Sequence, residues 1–376
     1  MKKICYVVTI PLTIRSFFIP QLKYLADNNF EVYVICSFDE CLEKELGEKI
    51  NYIPLEIPRG ISVGGSVKAI RKLKNIFKRE KFDLVQYSTP NAALYASIAA
   101  KRAKIKVRNY HLMGFRYLGA RGIGRKILFA LEKISCHNST HIECVSKSNL
   151  EMGIAERIFS REKATVVWNG SSGGVDLRRF DYSKRDIWRS EIRNELGYSE
   201  DDYIYGFVGR ITKDKGINEL LEAFIKLRDD SKLLLLGPME GIATLDAEVV
   251  IKAKDNENIQ FHEAVKDVER YYAALDVLLL PSYREGFGNV VIEAGAVGTP
   301  AIVTDIPGPT DTVIRNKTAL VVPVKNSQKL LEAMQRIRMQ DSMDMGIKAN
   351  QFVVSHFDGN ILNKKVLERK MFLLEE

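Results

Sequence analysis

The sequence predicts an α/β protein of two Rossmann-like, doubly wound parallel-sheet domains facing a central cleft, and three observations carry that expectation. Short apolar runs alternate with helical patterns from residue 3 to residue 145. A segment of small residues, Val167-Trp168-Asn169-Gly170-Ser171-Ser172-Gly173-Gly174-Val175-Asp176, then breaks the pattern as a linker. Alternation restarts at residue 203 and continues to 322. The 376 residues suffice for two cores. The expected domains are 1–175 and 176–376, with the last helix free to cross back to the first.

In the first half, residues 3–9 read as a buried strand, followed by a turn at Pro11 and a helix over about 16–26. After the Asn28-Asn29 turn come strand 31–37, strand 83–88, helix 91–100, strand 105–110, helix 125–134 and strand 141–145. Beyond the linker, a charged stretch to residue 200 precedes strand 203–208, helix 217–227, strand 232–236, helix 246–253 and strand 259–261. Helix 268–274 and strands 277–280, 301–304 and 319–322 follow, then helices from 328 to 372. Strands this regularly separated by helices pair in parallel, and such sheets bind ligands at the carboxyl ends of their strands.

Composition narrows the classes. With 46% apolar and 28% charged residues the chain resembles soluble globular proteins. No apolar run approaches the roughly 18 residues of a membrane span, and Arg15 interrupts the N-terminal apolar segment too early for a signal peptide. A cytoplasmic protein is expected. Five scattered cysteines suit a reducing compartment. Cys136, His137, His141 and Cys144 match no standard zinc spacing and read as buried thiols beside polar histidines. No glycine precedes Gly47, which excludes a G-x-G-x-x-G turn after the first strand, and no phosphate loop of the G-x-x-x-x-G-K type occurs. Dehydrogenase and ATPase readings fall accordingly.

Charge is unevenly placed. Residues 1–175 hold 28 Lys and Arg against 15 Asp and Glu, a net +13, which leaves −5 for the remainder. Lys68, Arg71, Lys72, Lys74, Lys78, Arg79 and Lys81 alternate with apolar residues at helical spacing, and residues 101–108 form a second basic run. Anionic lipid headgroups suit this pattern, which would make the protein peripheral on the inner face of the plasma membrane. It suits equally a solvated helix face packed on a sheet. Nucleic acid is not expected, since neither run is interleaved with exposed aromatics.

The chemistry concentrates in the second half. Residues 281–294, Pro-Ser-Tyr-Arg-Glu-Gly-Phe-Gly-Asn-Val-Val-Ile-Glu-Ala, read as a strand end, a glycine turn and a helix start. The unpaired N–H groups there favour a phosphate, while Glu285 and Glu293 are acceptors for sugar hydroxyls. The ligand that wants both contacts is a nucleotide sugar. Arg210 follows directly on a strand, and Lys215 lies near the next helix start, where two cations can clamp a diphosphate.

Val208-Gly209-Arg210 with Lys215-Gly216, Asp276 through Pro281-Ser282, and Glu285-Gly286-Phe287-Gly288 with Glu293 together resemble the family 4 glycosyltransferases of the two-domain GT-B fold. Within the family, the chain looks like the bacterial enzymes of surface polysaccharide or lipid-linked oligosaccharide synthesis. The resemblance covers the second domain almost fully and the first loosely. It implies a retaining, metal-independent hexosyl transfer with no cofactor beyond a UDP-sugar donor, and a saccharide or polyprenyl-diphosphate-linked acceptor. Arg210 and Lys215 would neutralise the donor diphosphate. Glu285, with the amides of Gly286, Phe287, Gly288 and Asn289, would hold sugar and phosphate. Glu293 would take the ribose, and uracil would lie near Val265. His111 would contact the transferred sugar, and Arg116 an acceptor phosphate. Many members carry a glycine-rich loop after the first strand; here residues 9–13 replace it, leaving Thr13 and Arg15 as side-chain contacts. Two other classes share parts of this pattern: a nucleotide-sugar epimerase or hydrolase, and a non-catalytic subunit that binds sugar nucleotides.

Overall fold

In the first sheet, strands β1 (Lys2–Val7), β2 (Phe30–Cys36), β3 (Ile50–Pro54), β4 (Leu84–Tyr87), β5 (Val107–Leu112), β6 (His141–Cys144) and β7 (Ala164–Thr165) lie in the order β3-β2-β1-β4-β5-β6-β7. The second contains β8 (Ile204–Val208), β9 (Lys232–Leu236), β10 (Ile259–His262), β11 (Val277–Leu280), β12 (Ala301–Thr304) and β13 (Ala319–Val322), ordered β10-β9-β8-β11-β12-β13. Every pairing between these named strands is parallel. These features belong to a computed structural model that describes residues 1–58, 60, 63–340 and 342–375. Residue 341, which the sequence reading carries through as helix, lies outside them.

Both sheets are covered on two faces, which is why their strands read as continuous apolar runs. In β1, Ile4 and Tyr6 pack with Phe18, Leu22 and Val34, while Cys5 and Val7 pack with Leu73, Phe77 and Tyr87. Alternate residues of one strand thus feed two cores. In each sheet the strand order reverses once, between β1 and β4 and between β8 and β11, and the crevice at such a reversal is where ligands bind.

Contacts divide the chain into one unit of Met1–Gly173 with Asn360–Glu376 and another of Gly174–Gly359. The C-terminal helix Gly359–Glu375 therefore packs with the first unit, where Leu373 is fully buried. Its Lys370 ammonium meets Glu143 of β6 at 2.7 Å, with both side chains almost wholly buried.

The structure departs from the expected elements near the N-terminus. Pro11 is not a turn but the first residue of the helix Pro11–Phe17, where its missing N–H is not needed. A second helix, Ile19–Asp27, starts with Pro20 in its first turn; a proline cannot donate to the preceding turn, so one expected helix becomes two. The expected strand 105–110 begins at Val107 and ends at Leu112, which moves His111 inside β5.

Candidate active site

In the second unit the loops after β8 and β11 meet at the reversal of strand order. Several links lock them together. Tyr283 donates its backbone N–H to Asp214 O at 2.9 Å, and Arg284 reaches the Asp214 carboxylate at 3.1 Å. Gly216, at φ +73°, lies so close that a Cβ there would come within 2.1 Å of Pro281 O. Only glycine combines that backbone with that approach.

These links bring Lys215 and Glu285 into contact. The Lys215 ammonium donates to Glu285 Oε1 at 2.6 Å, the Ser282 hydroxyl donates to the same oxygen at 2.8 Å, and both charged side chains are largely buried. A cation suited to phosphate and an anion suited to a sugar hydroxyl thus stand side by side. Arg210 is the open member of the set, 59% exposed with Asp214 4.0 Å away. Burial pushes the Asp214 carboxyl up, but the Thr212 hydroxyl and the Arg284 and Arg210 guanidiniums more than offset it, leaving it below its ordinary value. Asp214 therefore stays anionic and positions both arginines.

Gly288, at φ +100°, is the N-cap of the helix Asn289–Ala296, so the amide end of that helix follows directly on the turn that carries Glu285. The Phe287 ring is buried and stacks edge-on against Phe357 at 5.5 Å, which anchors the Gly286-Phe287-Gly288 turn from behind. Asn289 is the first residue of that helix, and Glu293 lies one turn on, accepting a hydrogen bond from the Tyr272 hydroxyl at 3.0 Å. Burial raises the Glu293 carboxyl, with Tyr272 and Arg179 opposing. Val265 follows edge strand β10, two strands from β8, and is partly buried.

One motif residue has another place. Asp276 sits at the opposite, amino end of β11, where it accepts from Arg189 at 2.7 Å, Arg193 at 2.8 Å and the Ile204 N–H at 2.7 Å. Arg193 is fully buried. Asp276 thus fastens the helix Arg185–Leu196 to the sheet and takes no part in the crevice.

In the first unit, His111 is 8% exposed, its Nε2 is 3.1 Å from Ser172 Oγ, and its ring packs edge-on to Phe18. Burial pushes it down to about 4, against the pull of Glu143, so the imidazole is neutral at neutral pH. Thr13 is buried. Arg15 is engaged by Asp39 at 2.5 Å and Glu45 at 2.9 Å, so as a phosphate contact it would first have to leave two carboxylates. Arg116 is exposed and donates to Asn91 Oδ1 at 3.1 Å. Sequence reasoning passed over Thr9 and Thr89, whose hydroxyls meet at 2.7 Å at the reversal between β1 and β4. Thr89 holds φ +66°, a costly conformation for a β-branched residue of the kind that gathers at ligand sites. Threonine's type gives no signal of that; only its position after a strand and before Pro90 does.

Comparison with known proteins bears on both units. The family described as Glycosyl transferases group 1 matches residues 189–351, and Glycosyltransferase Family 4 matches residues 21–172. A capsular polysaccharide biosynthesis glycosyltransferase, CapM of Staphylococcus aureus, is 29% identical over 96% of this chain and 94% of its own. The N,N'-diacetylbacillosaminyl-diphospho-undecaprenol alpha-1,3-N-acetylgalactosaminyltransferase of Campylobacter jejuni is 24% identical over 95% of each chain. Among solved structures, a glycosyltransferase from Rickettsia africae superposes with a TM-score of 0.81 at 20% identity, covering 100% of this chain and 99% of its own. Anabaena HepE in complex with UDP superposes at 0.79 with 18% identity, covering 99% and 100%. At these identities the likeness shows the fold, the two-domain GT-B architecture.

Proposed function

Since the chain belongs to the family 4 glycosyltransferases, we propose that it moves a hexose or N-acetylhexosamine from a UDP-sugar to a lipid-linked or growing saccharide during surface polysaccharide synthesis, with retention of anomeric configuration. The observation that carries this reading is the Lys215–Glu285 contact at 2.6 Å, at the strand reversal beside the helix start at Gly288. A donor entering the crevice parts the pair. Lys215 and Arg210 turn to the diphosphate, and Glu285 accepts from the sugar hydroxyls. Glu293 receives the ribose, and the connection bearing Val265 receives the base.

Glycosyl transfer needs the anomeric carbon–phosphate bond to break as the acceptor oxygen attacks. Charge builds on the departing diphosphate, where Arg210, Lys215 and the amides of Gly286 to Asn289 stabilise it. The departing phosphate oxygen takes the acceptor's proton, so both groups work on one face of the sugar and no side-chain nucleophile is required. Two side-chain cations supply the positive charge that a divalent metal supplies elsewhere, and turnover is expected to persist in a chelator. His111 enters as a neutral hydrogen-bonding ring beside Ser172, not as a base. The first unit takes the acceptor, and its basic helix Val63–Glu80, with Lys68, Arg71 and Lys72 exposed, faces anionic lipid.

The names of two relatives favour such an acceptor: those of the Campylobacter enzyme and of an Escherichia coli galactosyltransferase, 23% identical over 89% of this chain, both specify diphospho-undecaprenol-linked sugars. The test is release of UDP from a panel of UDP-sugars with and without a polyprenyl-diphosphate-linked sugar, in EDTA. Release that requires the acceptor supports the reading. Release without acceptor favours a hydrolase or epimerase, and no release with any donor favours a binding subunit.

A further inference from the structure

A groove with a volume of about 300 Å3 crosses the outer face of the first unit. Its floor is the helix Pro90–Arg102, where Asn91, Leu94 and Ile98 form a partly exposed stripe at helical spacing. The helices Val63–Glu80 and Gly122–Asn138 stand on either side, Val67 and Ile70 from one, Leu128 and Leu131 from the other. The lips stay apolar: Val67 and Ile134 are 51% and 42% exposed. Burying apolar side chains drives folding, so a run of them left open along a concave surface points to something that covers it.

The groove is also electrically polar along its length. Arg116 lines it at the end marked by its bond to Asn91. That end lies at the carboxyl edge of the sheet, because the helix Pro90–Arg102 starts there, directly after β4. Deeper in lies Glu132, 5% exposed, whose Oε1 has no hydrogen-bond partner. Both crossover helices run back from the carboxyl edge, and Glu132 lies in the second half of the helix Gly122–Asn138, away from that edge. An anionic group is drawn to the Arg116 end. Burial holds the Glu132 carboxyl up at about 7, against a hydrogen bond from Tyr110, so hydrocarbon can lie against it in its neutral form.

We infer that this groove holds the first part of the isoprenoid chain of the acceptor, with its diphosphate at Arg116 and its hydrocarbon running between the two crossover helices. At about 300 Å3 the groove suits a segment of a single prenyl tail better than the paired acyl chains of a phospholipid. Its cationic mouth opens at the sheet edge where a Rossmann-like fold presents ligands. The inference rests on the acceptor reading above and names the surface that recognises the lipid.

The test uses the full chain and reads binding without turnover. Farnesyl diphosphate is titrated beside inorganic diphosphate, and UDP is titrated as a control. The expected result is farnesyl diphosphate bound about tenfold or more tightly than inorganic diphosphate. Leu94→Trp, which fills the floor, should remove that difference while leaving UDP affinity unchanged. Should Leu94→Trp fail to fold, Val67→Trp on the exposed lip carries the same expectation. Equal affinity for the two diphosphates, or farnesyl diphosphate binding untouched by both variants, overturns the inference. So does loss of binding to dioleoylphosphatidylglycerol vesicles alone, which assigns the groove to phospholipid. A protein that binds farnesyl diphosphate as expected but never releases UDP overturns the transfer reaction and leaves the groove standing. One that releases UDP equally with prenyl and prenyl-free acceptors, in parent and Leu94→Trp alike, overturns the groove alone.

Discussion

Replacing Lys370 by Met should unfold the first unit early and leave the second untouched. Lys370 is 1% exposed and pairs with the Glu143 carboxylate, 3% exposed, at 2.7 Å. Burial pushes Glu143 up, but the Lys370 ammonium, with smaller help from His111 and Asn109, brings it below its ordinary value. The variant leaves that carboxylate buried, its Oε1 without a hydrogen bond, with Arg369 3.7 Å away and the Asn109 amide to answer it. Breaking one partner of a buried pair costs about 3–5 kcal/mol. With a urea slope of about 2 kcal/mol per molar, the midpoint should fall by about 1.5–2.5 M. The chain's two tryptophans separate the units, since Trp168 belongs to the first and Trp188 to the second. In a Trp188→Phe background, fluorescence follows the first unit; in Trp168→Phe, the second. The double variant Lys370→Met/Glu143→Gln removes both charges and should recover most of the loss. A midpoint unchanged for Trp168, a shift shared by Trp188, or a double variant as weak as the single would refute the reasoning.

Three further outcomes are expected. His111 titrates near 6.5 when unfolded and near 4 when folded, so stability is complete above pH 6.5 and is lost as pH falls toward 4, by about 3 kcal/mol over that window; Trp168 unfolding midpoints in His111→Gln should be flatter across it. Asp276→Ala strips the buried Arg193 of its carboxylate and should cost the second unit about 3–5 kcal/mol in the Trp188 transition, while a role in binding UDP would instead show as lost UDP affinity at native stability. Lys215→Ala should lower kcat by about 10²–10³-fold through lost stabilisation of the leaving diphosphate, with a native thermal midpoint within a few degrees; unchanged kinetics would remove Lys215 from the site.

Much of this was legible because it depends on local pattern. Strands buried on both faces read as apolar runs, so β9, β11, β12 and β13 were expected at the residues where they lie. The glycine turn at 286–288 and the cation at 215 could be placed because a phosphate site needs backbone amides and positive charge close together. What escaped the sequence depends on partners distant along the chain. Nothing local marks Glu285 and Lys215, 70 residues apart, as hydrogen-bonded to each other. Asp276 falls within the run that carries the family resemblance, yet its carboxylate is consumed by arginines 83 and 87 residues away, at the wrong end of its strand for binding. Arg15 looked available until Asp39 and Glu45 were found on it. The short strands β3 and β7 were missed because edge strands carry weaker apolar runs: Ile50–Pro54 has only two aliphatic side chains, Ile50 and Ile53, and Ala164–Thr165 spans only two residues.

The proposed reaction at Arg210, Lys215, Glu285 and Glu293 releases UDP from the same face of the sugar that the acceptor enters. The anomeric configuration of the product tests it most directly. With a UDP-α-hexose carrying 13C at the anomeric carbon and a polyprenyl-diphosphate-linked acceptor, NMR of the isolated product should show an α linkage. A β linkage would contradict one-face transfer and would demand a base placed opposite the departing diphosphate.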